Sequence, residues 1–349
     1  MTAYHLLKGH ALDRLREMPD ESVHCCVTSP PYWGLRDYGV DGQIGMEKTP
    51  AEYLANLVAV FAEVRRILRK DGTCWVNLGD SYCSTDKWGG GKSGNTGKHT
   101  VSDTGKVASW AVRSKKPAIL GVKPKDLMGM PWRLAFALQD DGWWLRQDII
   151  WAKPNCMPGS QEDRCTSSHE YVFMFTKAAN YWSDFDAIKT PPRESSLIRT
   201  AQNLQLQAGS HRANGGGKTN GPMKAVGVRV DKQRGHSRAH AGFNDRWDAM
   251  DKDEQQSRPA MMRDVWFVPP ASYDGAHFAV MPEEVARRCI LAGCPEGGTV
   301  IDIFNGSGTT GLAALANRRH YLGIELNADY VAMSEERLAI AVAQQELFA

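Results

Sequence analysis

The sequence predicts a doubly wound α/β fold built on a mostly parallel sheet of seven strands. Strand-like and helix-like stretches alternate at both ends of the chain, as parallel strands require, because each needs a crossover before the next. An apolar run near the N-terminus stops at Pro30-Pro31, and another near the C-terminus enters a Gly-rich turn at Gly306. Ligands of doubly wound folds sit on such loops, at the carboxyl edge of the strands.

Taken in order, residues 4–7 read as a short strand and 11–18 as a helix. Residues 23–28 form an apolar run of strand length. Leu54, Leu57, Val58, Phe61, Val64 and Leu68 recur at helical spacing, which predicts a helix over 50–68. Asp71-Gly72 breaks it, and a strand is expected over 73–78. A helix over 125–138 and strands over 145–151 and 171–175 follow, with Trp143 and Trp144 expected in the core. The C-terminal part reads as helix 282–292, strand 299–304, helix 312–317, strand 321–325 and helix 328–343.

Two polar stretches interrupt this alternation. Residues 84–116 hold seven Lys or Arg against two Asp, with a Gly triplet at 89–91. Residues 193–263 hold thirteen Lys or Arg against seven Asp or Glu, with a second Gly triplet at 215–217. The whole chain carries a formal charge of only +2, so any nucleic-acid surface must be local, and these insertions are where it is expected. The organisation expected is a catalytic half of the core at 1–83 and 117–192, a basic Gly-rich insertion at 84–116, a recognition region at 193–263 and a cofactor half at 264–349.

No run of 18 apolar residues suits a membrane span, and no basic start with an apolar stretch marks a secretory signal, so a cytoplasmic protein is expected. None of the eight cysteines forms a C-x-x-C pair; reduced thiols and no metal are expected.

In Asp302-Ile303-Phe304-Asn305-Gly306-Ser307-Gly308-Thr309-Thr310, a strand enters a turn where glycine lets a ligand approach the main chain. Glu325 ends the next strand, placed to accept hydrogen bonds from ribose hydroxyls. This is a nucleotide-cofactor signature that does not by itself separate NAD, FAD and S-adenosylmethionine. Asp302 tilts the balance, since a carboxylate suits the ammonium of a methionine moiety and repels a pyrophosphate.

Thr28-Ser29-Pro30-Pro31-Tyr32-Trp33 follows the first apolar strand. Two prolines end the strand and hold the Ser29 and Pro30 carbonyls in a rigid loop. Fixed oxygen acceptors suit an amino group with two N–H donors. The exocyclic amine of cytosine or adenine is one, and Tyr32 could stack on the base once it leaves the helix.

Together these motifs resemble the DNA methyltransferases that act on cytosine N4 or adenine N6. The order, catalytic loop before cofactor turn, resembles their beta group. Thr28 to Tyr32 is similar to the catalytic motif in its Ser-first form, and Asp302 to Thr310 to the cofactor motif. The resemblance extends to His277-Phe278 before the cofactor-side helix. It also covers Trp151-Ala152-Lys153-Pro154-Asn155 and Ser168-His169-Glu170-Tyr171, which line the base pocket in that family.

The resemblance implies a Rossmann-like methyltransferase fold, S-adenosylmethionine as cofactor and double-stranded DNA as partner, with base flipping. It implies Ser29, Pro30, Pro31 and Tyr32 as catalytic residues. The cofactor would meet Thr28, His277, Phe278, Asp302, Phe304, Asn305, Gly306, Ser307, Gly308, Thr309, Thr310 and Glu325. Trp33, Lys153, Asn155, Arg164 and His169 are the DNA or base candidates. Ser29 resembles the cytosine-N4 members, Asp being usual for adenine N6. Homodimers and partner endonucleases occur in the family; the sequence names neither a target site nor such a partner.

There are departures. Ile303 stands where the family usually has Pro, and His10 where it commonly has an Asp near the cofactor adenine. A 5-methylcytosine enzyme needs a cysteine nucleophile, typically after proline, and no Pro-Cys dipeptide occurs. A nicotinamide oxidoreductase would leave the Ser-Pro-Pro-Tyr loop and the basic insertions unused. Methylation of a protein glutamine amide fits an Asn-first loop better than Ser29.

Overall fold

The protein is described by a computed structural model covering residues 3–35, 37, 39–83, 123, 125–156, 162–191, 249, 259–270 and 281–347. Two compact units are present, 1–187 with 263–349, and 188–262. In the second, the described part includes an antiparallel bridge between Thr190 and Ala260.

The first unit is built on one sheet. Its strands are β1 Tyr4–Lys8, β2 Val23–Thr28, β3 Leu68–Leu78, β4 Trp144–Ala152, β5 His169–Thr176, β6 Val265–Phe267, β7 Thr299–Asp302 and β8 His320–Glu325. They lie in the order β1-β8-β7-β2-β3-β5-β4-β6. Among the described strands, only β5 runs against its neighbours, pairing antiparallel with both β3 and β4. The helices are α1 Ala11–Arg16, α2 Pro50–Ile67, α3 Met130–Asp140, α4 Glu283–Gly293, α5 Thr309–Ala316 and α6 Ala328–Leu347.

Helix α2 shows how local sequence sets an element. Thr49 accepts from the Glu52 amide, the Glu52 carboxylate accepts from the Thr49 amide, and Pro50 opens the first turn, where its missing N–H costs nothing. Its buried face carries Tyr53, Leu57, Phe61 and Val64 against the sheet. Replacing Phe61 by alanine would leave a cavity costing about 3–5 kcal/mol.

Several boundaries differ from expectation. Strand β3 begins at Leu68 rather than 73, running through Asp71-Gly72. Its register against β2 shifts there, and a side chain at 72 would meet the Arg69 and His24 carbonyls at 3.0 Å. The glycine makes an irregularity within the strand rather than a break before it. Helix α3 starts at Met130, not 125: Lys125 has φ +71°, outside helical space, and the Asp80 carboxylate accepts from the Gly129 and Met130 amides. Helix α5 starts at Thr309, three residues early, as soon as Gly308 ends the turn. An eighth strand, β6, adds to the sheet beside β4, away from the cofactor half to which sequence assigned it. Three residues are too few for alternation to reveal. Trp143 is buried as expected, but Trp144 is 50% exposed because it begins β4 and faces outward.

Candidate active site

The parallel strands deliver their loops to one edge. Gly9-His10 follow β1, Ser29 to Tyr32 follow β2, Asp302 to Thr310 follow β7, and Leu326-Asn327 follow β8. Because β5 is reversed, it brings its first residues, His169 and Glu170, to that same edge. There, Ser29, Pro30, Pro31 and Tyr32 share one cavity with Asp302, Phe304, Gly306 and Glu325. Counting its open mouth, it holds about 1170 Å³ of empty space.

The Gly-rich turn is fixed from beneath. Gly306 and Gly308 have φ +52° and +79°, the left-handed region that favours glycine. Asn305 is buried, accepting from the Tyr321 hydroxyl at 2.6 Å and donating to Ser334 Oγ at 2.9 Å. The carbonyl of Ser307 accepts from Arg337, and Ser307 Oγ lies 3.5 Å from Thr309 Oγ1. Glu325 accepts from the Gly306 amide and the Asn327 amide, both at 2.8 Å. Burial raises the Glu325 carboxyl above its ordinary range, and those two amides oppose the rise. Asp302 is buried and accepts from Thr28 Oγ1 at 2.6 Å, Thr310 Oγ1 at 2.7 Å and the Phe304 amide at 3.1 Å. Burial raises its pKa as well, against those three donors.

The Pro-Pro loop is anchored on its other side. Tyr53 donates to the Pro31 carbonyl at 2.8 Å. The Tyr32 hydroxyl donates to Glu170 Oε2 at 2.5 Å. Glu170 Oε2 also accepts from Asn77 Nδ2 at 3.1 Å, while Glu170 Oε1 meets Lys153 Nζ at 2.5 Å. Ser29 Oγ lies 3.5 Å from Asn77 Oδ1. Burial and the neighbouring Glu170 carboxylate push the Tyr32 phenol well above its usual range, so it is a neutral donor at physiological pH.

Residues 23–336 match the N6/N4 DNA methylase family profile. The chain is 42% identical over 333 residues to the type II methyltransferase M.XycI of Xanthomonas campestris pv. cyanopsidis, covering 95% of this chain and 87% of that one. It is 41% identical to M.Cfr9I of Citrobacter freundii with the same coverage. This chain belongs to the N6/N4 DNA methylase family. Among solved structures, PvuII DNA methyltransferase (cytosine-N4-specific) shares the fold, with a TM-score of 0.55 at 17% identity over 97% of this chain and 93% of that one.

Membership makes the chain a DNA methyltransferase that uses S-adenosylmethionine, and removes the nicotinamide reading. The cavity of this methylase fits that cofactor. Glu325 has lone pairs beyond those that meet the Gly306 and Asn327 amides and could accept from a ribose. Gly306 with Ile44, Ile303, Phe304 and Ile324 in the lining leaves room and apolar surface that an adenine ring could use. His10 also lines it.

The methylase brings together most of the residues that sequence singled out. Ser29, Pro30, Pro31, Tyr32, Asp302, Phe304, Asn305, Gly306, Ser307, Thr309, Thr310 and Glu325 all line the cavity. Thr28 sits just behind it through Asp302, and Gly308 caps α5. His277 and Phe278 lie outside the described residues, as do 84–116 and most of 193–263. Trp33 does not reach the cavity: it is buried in the core and donates to the Glu47 carbonyl at 3.1 Å. Lys153 is paired with Glu170, and also lies over the Trp151 ring at 4.5 Å. Asn155 and His169 are exposed, His169 edge-on to Tyr171, and Arg164 lies 4.0 Å over the Tyr82 ring.

Sequence reasoning included Glu170 in a base-pocket motif without giving it a role, and passed over Asn77. The available signal was polarity beside apolar runs: Asn77 lies between Val76 and Leu78, and Glu170, the second residue of β5, precedes Tyr-Val-Phe-Met-Phe. A polar side chain there needs a buried partner.

Proposed function

We propose that this methylase transfers a methyl group to the exocyclic N4 of cytosine in double-stranded DNA, with the target base flipped into the cavity. One observation carries the reading: the first residue of the catalytic loop is a neutral hydroxyl, Ser29, placed in the same cavity as the Gly-rich turn and Glu325. The cofactor supplies an electrophilic methyl on a sulfonium, so neither a metal nor a covalent enzyme intermediate is required. Ser29 Oγ and the Pro30 carbonyl accept the two hydrogens of the amine, which localises its lone pair on nitrogen for attack. Tyr32, held at its hydroxyl by Glu170, offers its ring to the base face. Positioning of this kind can supply much of the rate.

The cofactor's ammonium is assigned to Asp302 and its ribose to Glu325, with His277 and Phe278 as further cofactor residues. The segment 193–263 is assigned to target recognition and 84–116 to closure over DNA, both through cationic residues on phosphates. Arg164 is the further phosphate candidate, and Asn155 and His169 the base-side ones.

The test is methylation of DNA with tritiated cofactor, followed by digestion to nucleosides and mass spectrometry. N4-methylcytosine is expected. N6-methyladenine would overturn the choice of base, and incorporation into neither would overturn the assignment of the loop.

A further inference from the structure

Asn77, on β3, is 2% exposed, and its amide orientation is decided by its partners. Its Nδ2 donates to Glu170 Oε2 and to the Tyr171 carbonyl, each at 3.1 Å. The Tyr171 carbonyl can only accept, and the Glu170 carboxylate, ion-paired with Lys153, accepts as well. Flipping the amide would set oxygen against oxygen twice. Oδ1 must therefore be the atom facing Ser29 Oγ at 3.5 Å, and a carbonyl can only accept. The other hydroxyl close to Ser29, that of Tyr32, has already given its hydrogen to Glu170. Both inner neighbours of Ser29 are thus acceptors. The Ser29 hydrogen points inward and its lone pairs are left for the cavity.

We propose that Asn77 is a positioning residue for methyl transfer, fixing Ser29 as a hydrogen-bond acceptor. A serine hydroxyl can donate or accept. If it donated to the amine, it would occupy the nitrogen lone pair that must attack the methyl carbon. A carboxylate in its place could not make that error, so a Ser-first loop needs a second residue to impose the direction. The chain Lys153, Glu170, Asn77, Ser29 provides it. The inference rests on Ser29 meeting the amine, and is independent of which base carries that amine.

The experiment is a double-mutant cycle on the full chain. Single-turnover transfer of tritiated methyl to unmethylated plasmid DNA is measured for wild type, Ser29→Ala, Asn77→Ala and the double variant, with cofactor affinity followed by calorimetry. Asn77→Ala is expected to slow transfer roughly ten- to a hundredfold, with cofactor affinity within about twofold. In the Ser29→Ala background the same change should cost little more. Losses that multiply would overturn the proposal. Transfer at the wild-type rate by Ser29→Ala would instead remove the reading beneath it. Asn77→Asp, nearly isosteric, guards against a folding failure. An aspartate keeps an acceptor oxygen toward Ser29, so Asn77→Asp should transfer faster than Asn77→Ala. Transfer no faster than that of Asn77→Ala, with folding and cofactor affinity intact, would also overturn the proposal.

Discussion

Thr28 Oγ1 donates to Asp302 Oδ1 at 2.6 Å across 274 residues of chain, and both groups are buried. This bond ties the end of the strand that leads to the Pro-Pro loop to the start of the Gly-rich turn. Register explains how it forms: Cys25 and Cys26 on β2 lie opposite Val300 and Ile301 on β7, so the two strands end together. Replacing Thr28 by valine keeps the shape and removes one donor from a buried carboxylate. A loss of about 1–3 kcal/mol in stability is expected, read as a lower denaturant midpoint with an unchanged slope.

Asp302 should also give stability a pH dependence, whose sign follows from its burial. Its folded pKa is raised, chiefly by burial. The folded state therefore holds its proton more tightly than the unfolded chain. That contribution is complete below the ordinary aspartate range and is lost as pH rises through the raised folded value. Asp302→Asn removes the titration. Melting temperatures of variant and wild type, compared from about pH 4 to about pH 8, should shift in favour of the variant as pH rises. A constant difference would show that Asp302 does not titrate differently on folding.

Gly308 is required by conformation and by space. Its φ is +79°, and a Cβ there would lie 2.9 Å from Ser334 Cβ on α6. Gly308→Ala should destabilise by about 1–3 kcal/mol and weaken cofactor binding by tilting α5. Calorimetric titration and thermal melts should report both, and a variant with unaltered melting would contradict the geometry.

Lys153 is held by Glu170 rather than left for phosphate. Lys153→Met should therefore leave the salt dependence of DNA binding close to wild type, whereas a phosphate contact would reduce the slope by roughly one. The same change should slow methyl transfer, because Glu170 then loses the partner that fixes it against Tyr32 and Asn77. Binding isotherms across salt concentrations separate the two roles.

Ser29→Ala and Tyr32→Ala should each reduce transfer at least roughly a hundredfold while cofactor affinity changes little. Equal loss of cofactor affinity would show that the catalytic loop and the cofactor turn do not divide their work in this way.

The sequence by itself determined most of the elements and the two loops that matter. Apolar periodicity located α2 and β2, Pro30-Pro31 ended β2, and Gly306 with Gly308 marked the turn before α5, because these signals act over a few residues of chain. Tertiary structure alone decided what meets across the sheet. Sequence could not show that Asp302 is held by Thr28, that Trp33 packs into the core, or that β6 extends the far edge. Nor could it select Glu170 over His169: reversing β5 lays its N-terminal end beside the carboxyl ends of its neighbours, and side chains alternate along a strand. Which of two adjacent residues turns toward Tyr32 is thus a matter of strand pairing, and pairing is set by contacts far apart in the chain.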